Sequence, residues 1–347
     1  MKHSIRNFAG AASVLLLVTS VLLTGCAEEK SSAASSTNNG GLEVSELRYQ
    51  GGIGSVTYPE LAEDLGYLAP LKLKFIGSTI SGPQDIQSVV TGDTDFGGAF
   101  NGAIVKLLAA KAPIKSVISY YGVDDNTWTG YYVLDGSPIK TAKDLIGKKI
   151  AVNTLGAHHE FVIKEYLHRA GLTTEEIDQV TLVVVPPVTS EQTLRANQID
   201  VAALGGVLRD KALERGGIHP LFKDRDLFGN FSAGSYVLTN KFIKNNPKAT
   251  RKFVEATAKA IEWARTTPRD EVVARFNKII NERGRKEDTA TVKYWKSTGI
   301  AGKGGLIADK EFDNWINWLV KEGTIKEGEL KAKDLFTNEF NPYLNEK

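Results

Sequence analysis

One pattern occurs twice in this chain. A helical run over 84–90 stops in Thr91-Gly92-Asp93-Thr94-Asp95-Phe96-Gly97, and a second over 189–196 stops in Asn197-Gln198-Ile199-Asp200-Val201-Ala202. In both, a Gly or Asn suited to a left-handed cap ends the helix, and an Asp-hydrophobic-small strand follows. That recurrence is what two similar lobes give. Around the first copy the residues read as strand 46–50, glycine loop 51–55 and helix 58–65 with a Thr57-x-x-Glu60 capping box. Strand 71–76, a helix opened by Ser81-Gly82-Pro83-Gln84, strand 95–98, helix 101–110 and strands 114–121 and 131–134 come next. After the turn Asp135-Gly136-Ser137-Pro138, the second copy reads as strand 149–152, helix 157–170, strand 180–185, helix 189–196 and strand 201–204. An extended run over 232–239 leads into a helical remainder. There Asn246-Pro247 and Thr267-Pro268 read as capped helix starts, Gly284 as a helix end, and Trp315 and Trp318 as packing a last helix onto the first lobe. The class is α/β, wound twice.

The 347 residues carry 43 Lys and Arg against 41 Asp and Glu, too even a balance for counterion release from nucleic acid to drive binding. With one cysteine, Cys26, neither an intramolecular disulfide nor a cysteine-rich metal cluster is possible. Lys2 and Arg6 precede an apolar run over 8–23, which ends in Leu23-Thr24-Gly25-Cys26. This reads as a secretory signal closed by a lipobox-like motif, with Cys26 the lipidated residue. The expected organisation is a signal peptide over 1–25, a flexible tether over 26–42, one lobe from 43–133 and 237–347, and the other from 134–236. Loss of Lys2 and Arg6 with the signal leaves the mature chain with no net charge. A protein working outside the cytoplasmic membrane has no NAD, ATP or reducing thiol pool, which removes most intracellular enzyme classes.

In an open α/β sheet, ligands sit beyond the carboxyl ends of the strands, where loops turn into helices. Four such turns stand out: 51–55, with Gly52 and Ser55; 78–84, with Ser81, Gly82 and Gln84; Phe100-Asn101; and 154–158, with Thr154, Gly156, Ala157 and His158. Each offers backbone N–H groups at the positive end of a helix dipole, a ready anion site. Arg209, one turn after Gly206, reads either as a counter-charge in the cleft or as a salt bridge with Asp210 or Glu214. Trp128 reads as a residue closing over an apolar moiety or as rim. His158-His159 lacks zincin spacing, because Ile163 stands where His-Glu-x-x-His needs its second histidine. No metal or cofactor is expected. There is no G-x-S-x-G elbow, and Gly51-Gly52-x-Gly54 lacks the third glycine of a dinucleotide loop.

A wider set of motifs occurs in order: the lipobox, Tyr49-Gln50-Gly51-Gly52-Ile53-Gly54, Gly82-Pro83-Gln84, Gly92-Asp93-x-Asp95-Phe96-Gly97, the segment from Ser137-Pro138 to Lys149-Ile150-Ala151, and Ile199-Asp200-Val201. Together they resemble the substrate-binding proteins of bacterial ABC importers, in the aliphatic sulfonate, nitrate and taurine group. The resemblance implies a two-lobed periplasmic-binding-protein-like fold (type II) with two hinge strands, for which 131–134 and 236–239 are the candidates. It also implies a small anionic solute in the cleft, contacted by Ser55, Gly82, Gln84, Asn101, Gly156 and His158. The partners it implies are an ABC permease and its ATPase, and a monomer is expected. Where that group carries an aromatic and an acid, this chain has Gly205-Gly206, so a ligand bulkier than taurine is expected there. A ligand-sensing lipoprotein and a receptor for nitrate, a carboxylate or a pyrimidine-like solute stay open. A related pyrimidine synthase depends on a cysteine-rich motif, and this chain has no cysteine after Cys26.

Overall fold

The computed structural model describes residues 40–346, so the signal, Cys26 and most of the tether lie outside the described residues. The first series runs β1 (Glu46–Gly51), α1 (Tyr58–Asp64), β2 (Lys72–Ser78), α2 (Gly82–Thr91), β3 (Phe96–Phe100), α3 (Asn101–Ala109) and β4 (Ile114–Val123). The second runs β5 (Thr129–Leu134), β6 (Lys149–Val152), α4 (His158–Arg169), α5 (Thr174–Ile177), β7 (Thr181–Val184), α6 (Pro187–Arg195), β8 (Val201–Gly205), α7 (Gly206–Arg215), β9 (Ile218–Lys223) and α8 (Asp224–Phe228). The return is β10 (Phe231–Thr239), α9 (Asn240–Asn245), α10 (Pro247–Thr266), α11 (Arg269–Glu282), α12 (Lys310–Lys321) and α13 (Ala332–Leu335).

The strands make a parallel pair β1-β2, a three-stranded sheet β3-β10-β4 and a five-stranded sheet β7-β6-β8-β5-β9. Strand β10 is antiparallel to both β3 and β4, and β5 is antiparallel to β8 and β9, whereas β6 runs parallel to β7 and β8. Both candidate hinge runs are paired inside a sheet: Tyr131 and Tyr132 stand opposite Ala203 and Ala202, and Tyr236 stands opposite Gly98 and Ile118. The chain passes between the three-stranded and five-stranded sheets just upstream of each, over 124–128 and 229–230.

The recurring helix ends are as expected. Gly92 takes φ 82° and Asn197 φ 55°, and the strand after each begins within a few residues. The α1 capping box forms, with Thr57 accepting from Glu60 N and Glu60 accepting from Thr57 N. Two expected caps do not. Asn246 turns its amide back to the Phe242 carbonyl at 3.2 Å, and Thr267 ends α10 while Pro268 stands before α11. A proline at a helix start needs no capping side chain to spare its missing N–H, so the motif alone does not fix the cap. Helix α12 reaches further than expected. Trp315 is fully buried edge-on to Phe100 at 4.3 Å and to Phe161 at 3.7 Å, so one helix packs on both α3 and α4.

Candidate functional site

Helices α1, α5 and α9 have side-chain caps, and among the helices without one are α2, α3, α4 and α7, which begin at Ser81, Phe100, Ala157 and Gly205. All four open ends contribute to one cavity of about 310 Å³: Gly82 and Pro83 from α2, Phe100 from the start of α3, Ala157, His158 and His159 from α4, and Gly206 from α7. Tyr120, Tyr121 and Trp128 supply aromatic wall, and Thr127, Thr129, Asn153 and Asp224 complete much of the rest. No Lys or Arg is among the lining residues.

Gly82 is dictated by close approach: a Cβ there would stand 3.0 Å from the Ala99 Cα on the facing strand. Gly206 is dictated by conformation. Its φ is +50°, and a Cβ would meet nothing within 4 Å, so the wall is open there.

Asp224, fully buried, organises the second wall. Its carboxylate accepts from Thr129 N at 3.1 Å and Arg225 N at 2.7 Å, and His158 Nε2 lies 3.1 Å from Oδ2. The His158 ring is held edge-on to Phe100 at 5.3 Å and parallel to Phe231 at 6.0 Å. Burial, with His158 beside it, pulls His159 down to about 3, so that ring is neutral. Behind the first wall, burial pushes Asp85 up to about 7, against the lowering effect of the Gly98 N–H it accepts at 2.7 Å.

Of the sequence-derived site residues, the cavity unites Gly82, Phe100, Ala157 and His158. Gly52 and Ser81 line an adjoining pocket of about 240 Å³ with Gln50, Asp85, Tyr120 and Tyr236; it shares Gly82 and Tyr120 with the first. Ser55 lines a third space of about 270 Å³ that shares Thr127 and Gly206 with the first. The others stand outside these walls. Gln84 is exposed. The Asn101 side chain is fully buried and spent on Ser235 Oγ at 2.8 Å, with the Ser232 and Glu311 carbonyls at its amide. Thr154 turns toward the Leu155 carbonyl, and the Gly156 N–H is taken by Glu160 at 2.8 Å. Gly205 pairs with Thr129 in the sheet, and a Cβ on it would stand 3.0 Å from Thr129 Oγ1, so the space an aromatic was expected to vacate there is filled. Arg209 is buried, bonding Asp210 at 2.9 Å and the Trp128 carbonyl at 3.0 Å, with its guanidinium 4.1 Å from the Trp128 ring centroid. It braces the aromatic wall instead of supplying charge to the cavity.

The wall residues that the sequence pattern did not single out are of two kinds. Tyr120 and Tyr121 close a strand already read, and their position at its carboxyl end was the available signal. Asp224 stands at the start of α8, between β9 and β10, in a stretch where neither β9 nor α8 was legible.

Residues 61–271 match the family model described as NMT1/THI5 like. A Brucella abortus protein named a putative binding protein is 26% identical over 256 residues, covering 73% of this chain and 75% of its own. A Candida albicans 4-amino-5-hydroxymethyl-2-methylpyrimidine phosphate synthase is 28% identical over 229 residues, covering 60% of this chain and 63% of its own. The solved alkanesulfonate-binding protein SsuA of Xanthomonas axonopodis, bound to MOPS, superposes with a TM-score of 0.64 at 17% identity over 85% of this chain and 99% of its own. The fold is thus the two-lobed α/β fold of periplasmic binding proteins, and this chain belongs to the NMT1/THI5-like family.

Proposed function

We propose that this protein is the extracytoplasmic solute-binding protein of an ABC importer, capturing a small organic anion of the sulfonate type between its lobes and handing it to a membrane permease driven by an ATPase. It binds without catalysis or cofactor, acts as a monomer, and is held at the membrane by lipid on Cys26. One lobe comprises 43–123 and 231–346, the other 129–228, and the two crossings at 124–128 and 229–230 act as the hinge. The observation that carries the reading is the meeting of four uncapped helix starts in a cavity without a lysine or arginine. Such a site pays for an anion's desolvation with N–H dipoles, which suits a compact multi-oxygen headgroup. The aromatic wall of Tyr120, Tyr121 and Trp128 suits an organic body behind that headgroup. The MOPS-bound relative supports the same assignment.

A second reading has one specific observation in its favour. Gln50 Oε1 and Asp85 Oδ1 are buried without a hydrogen-bond partner beside the adjoining pocket, and an amide acceptor beside a carboxyl whose proton is retained by burial suits a solute with both an N–H donor and a ring-nitrogen acceptor, such as an aminopyrimidine. Titration calorimetry separates the two. MOPS and ethanesulfonate are expected to bind with one-site stoichiometry and 4-amino-2-methylpyrimidines to give no heat; the reverse outcome replaces the sulfonate reading with the second.

A further inference from the structure

The cations of lobe 1 are not all treated alike. On the side of α1 and β1 they are paired, Arg275 and Lys278 with Asp64 at 2.7 and 2.6 Å and Lys74 with Glu46 at 3.0 Å. At the corner where α9 turns into α10, residues 240–254 hold four lysines and one arginine and no acid. Helix α10 buries Ala249, Thr250, Phe253 and Val254, which leaves Lys248 and Arg251 on its outer stripe, and Lys241 and Lys244 are exposed beside them. The Lys248 ammonium donates to the Gly41 carbonyl at 3.2 Å and Arg251 to the Glu339 carbonyl at 3.5 Å, so both meet uncharged partners. Lys111 and Lys115 join them from β4 and the turn before it, since they flank Pro113, whose carbonyl accepts Asn240 N at 2.8 Å. Among the described residues none of these six cations is in a salt bridge. The acid that reaches the corner, Glu43, is spent on the Lys248 and Ala249 N–H groups at 3.2 and 3.0 Å and offsets one charge of the six. On a mature chain with no net charge, such a cluster gives the surface field a direction.

The chain enters the fold at this same corner. Gly41 is bonded by Lys248 and Glu43 by the start of α10, so whatever precedes residue 40 leaves from here. Residues 27–39 reach about 45 Å even at full extension, so lipid on Cys26 keeps the corner near a bilayer. We propose that this basic corner rests on the anionic headgroups of that bilayer, as an interaction surface for a lipid membrane that is separate from the solute cleft. The proposal takes its place in the cell from the reading of Cys26 as lipidated, and its chemistry from the six cations. Lipid supplies retention. The cations supply orientation, because their attraction to headgroups is screened over about 10 Å at 0.1 M salt and so acts only when this face is turned to the membrane. All six belong to lobe 1, so the contact leaves lobe 2 free to turn about the crossings at 124–128 and 229–230.

The test is flotation of the mature chain carrying Cys26→Ser, which has no acyl anchor, with phosphatidylethanolamine–phosphatidylglycerol vesicles and with phosphatidylcholine vesicles at low and high salt. Lys241→Gln/Lys244→Gln/Lys248→Gln removes three charges from the corner, and Lys140→Gln/Lys143→Gln/Lys149→Gln removes three from exposed positions of lobe 2. Partition to the anionic vesicles is expected at low salt and lost at high salt, about tenfold weaker in the corner variant and within about twofold of the parent in the lobe 2 variant. No flotation on anionic vesicles, or equal flotation on both kinds, overturns the proposal. So does an equal loss in the two variants while circular dichroism reports native folding, and so does retention on immobilised polyphosphate without flotation, which makes the corner a polyanion site. The anchor is read separately, from the intact mass of wild-type protein extracted from membranes. A mass without acyl chains beside charge-dependent flotation leaves the corner as a membrane surface and removes Cys26 as its tether.

Discussion

The two walls of the cavity are built from different materials. The wall from α2, β3 and β4 is backbone and aromatic ring: Gly82 and Pro83 at a helix start, then Phe100, Tyr120 and Tyr121. Its buried acid, Asp85, stands behind it and has one carboxyl oxygen bonded to Gly98 N. The wall from α4, α7 and α8 is a polar network, with Asp224 tying Thr129, Arg225 and His158 together and a neutral His159 next to it. One wall blunts its charge by burying an acid until it holds its proton, the other by burying a base until it gives one up. The acid that does sit in the lining, Asp224, is surrounded by donors. With no lysine or arginine in the lining, an anion bound as proposed would be held by the helix starts and not by a fixed cation, which favours geometric selectivity over simple charge attraction.

The network wall is the one most easily broken. Asp224→Ala leaves two backbone N–H groups and His158 without their buried acceptor at the cavity wall. A loss of about 3–5 kcal/mol in urea unfolding is expected, together with loss of organosulfonate binding. Asp224→Asn, which keeps an accepting oxygen, should recover about half of the stability. An Asp224→Ala protein within about 1 kcal/mol of wild type would mean that the wall is held by its rings instead.

The buried acid and the buried base make opposite pH predictions. Asp85 has its pKa raised from 3.8 to about 7, so the native state keeps a proton that the unfolded chain releases. Stability from this group is present at low pH and is lost as pH rises from about 4 through 7, by about 4 kcal/mol in all. His159 has its pKa lowered from 6.5 to about 3, so the unfolded chain binds a proton that the native state refuses. Stability is lost here as pH falls from about 6.5 toward 3, by a similar amount. Between about pH 4 and 6.5 the two slopes oppose each other and nearly cancel in the wild type, so unfolding free energies there should rise with pH in Asp85→Asn and fall with pH in His159→Asn. If Asp85→Asn shows the same flat profile as wild type, the first wall's acid is not the group that titrates.

Glycine substitution compares the walls at their helix starts. Gly82→Ala drives a methyl to 3.0 Å from backbone on β3, which cannot yield cheaply, whereas Gly206→Ala meets no atom within 4 Å and pays only for φ +50°. The expected costs are about 1–3 kcal/mol for the first and about 1 kcal/mol for the second. Thermal unfolding of the two variants side by side checks the order. An equal or larger loss at Gly206 would place the tighter packing on the second wall.

The fold was legible where local chemistry and tertiary packing agree. The capping box at Thr57, the proline start of α2, and the left-handed stops at Gly92 and Asn197 each carry a signal in the residues that form them. What stayed hidden depends on partners far away in the chain. Strand β9 contains Pro220, which reads as a break until β9 is seen to lie at the edge of the sheet, where a missing N–H is tolerated. Asp224 follows it directly, and its importance comes from Thr129 and His158, neither of them a sequence neighbour. The loops that hold the site could be located from the strand-to-helix turns, but not which side chain in each loop turns inward. At 100–101 the pattern offered Phe100 and Asn101 together, and packing sent the ring to the cavity and the amide to Ser235.

The smallest expected effect sharpens that last point. Gln84 stands two residues after Gly82 in the first turn of α2, and the resemblance placed a ligand contact there. The side chain is exposed and lies outside the cavity lining, although the backbone beside it forms the wall. A contact made by backbone survives truncation of the side chain, because Gln84→Ala keeps the N–H and the helical conformation and adds a slightly better helix former. Stability and organosulfonate affinity should both stay within about 0.5 kcal/mol of wild type. Gly82→Ala, two residues away, should weaken both. Calorimetry on this pair distinguishes recognition by main chain from recognition by side chain on the first wall: a loss of tenfold or more in Gln84→Ala would mean that the amide swings in when the lobes close, and that the wall is less purely backbone than its open helix start implies.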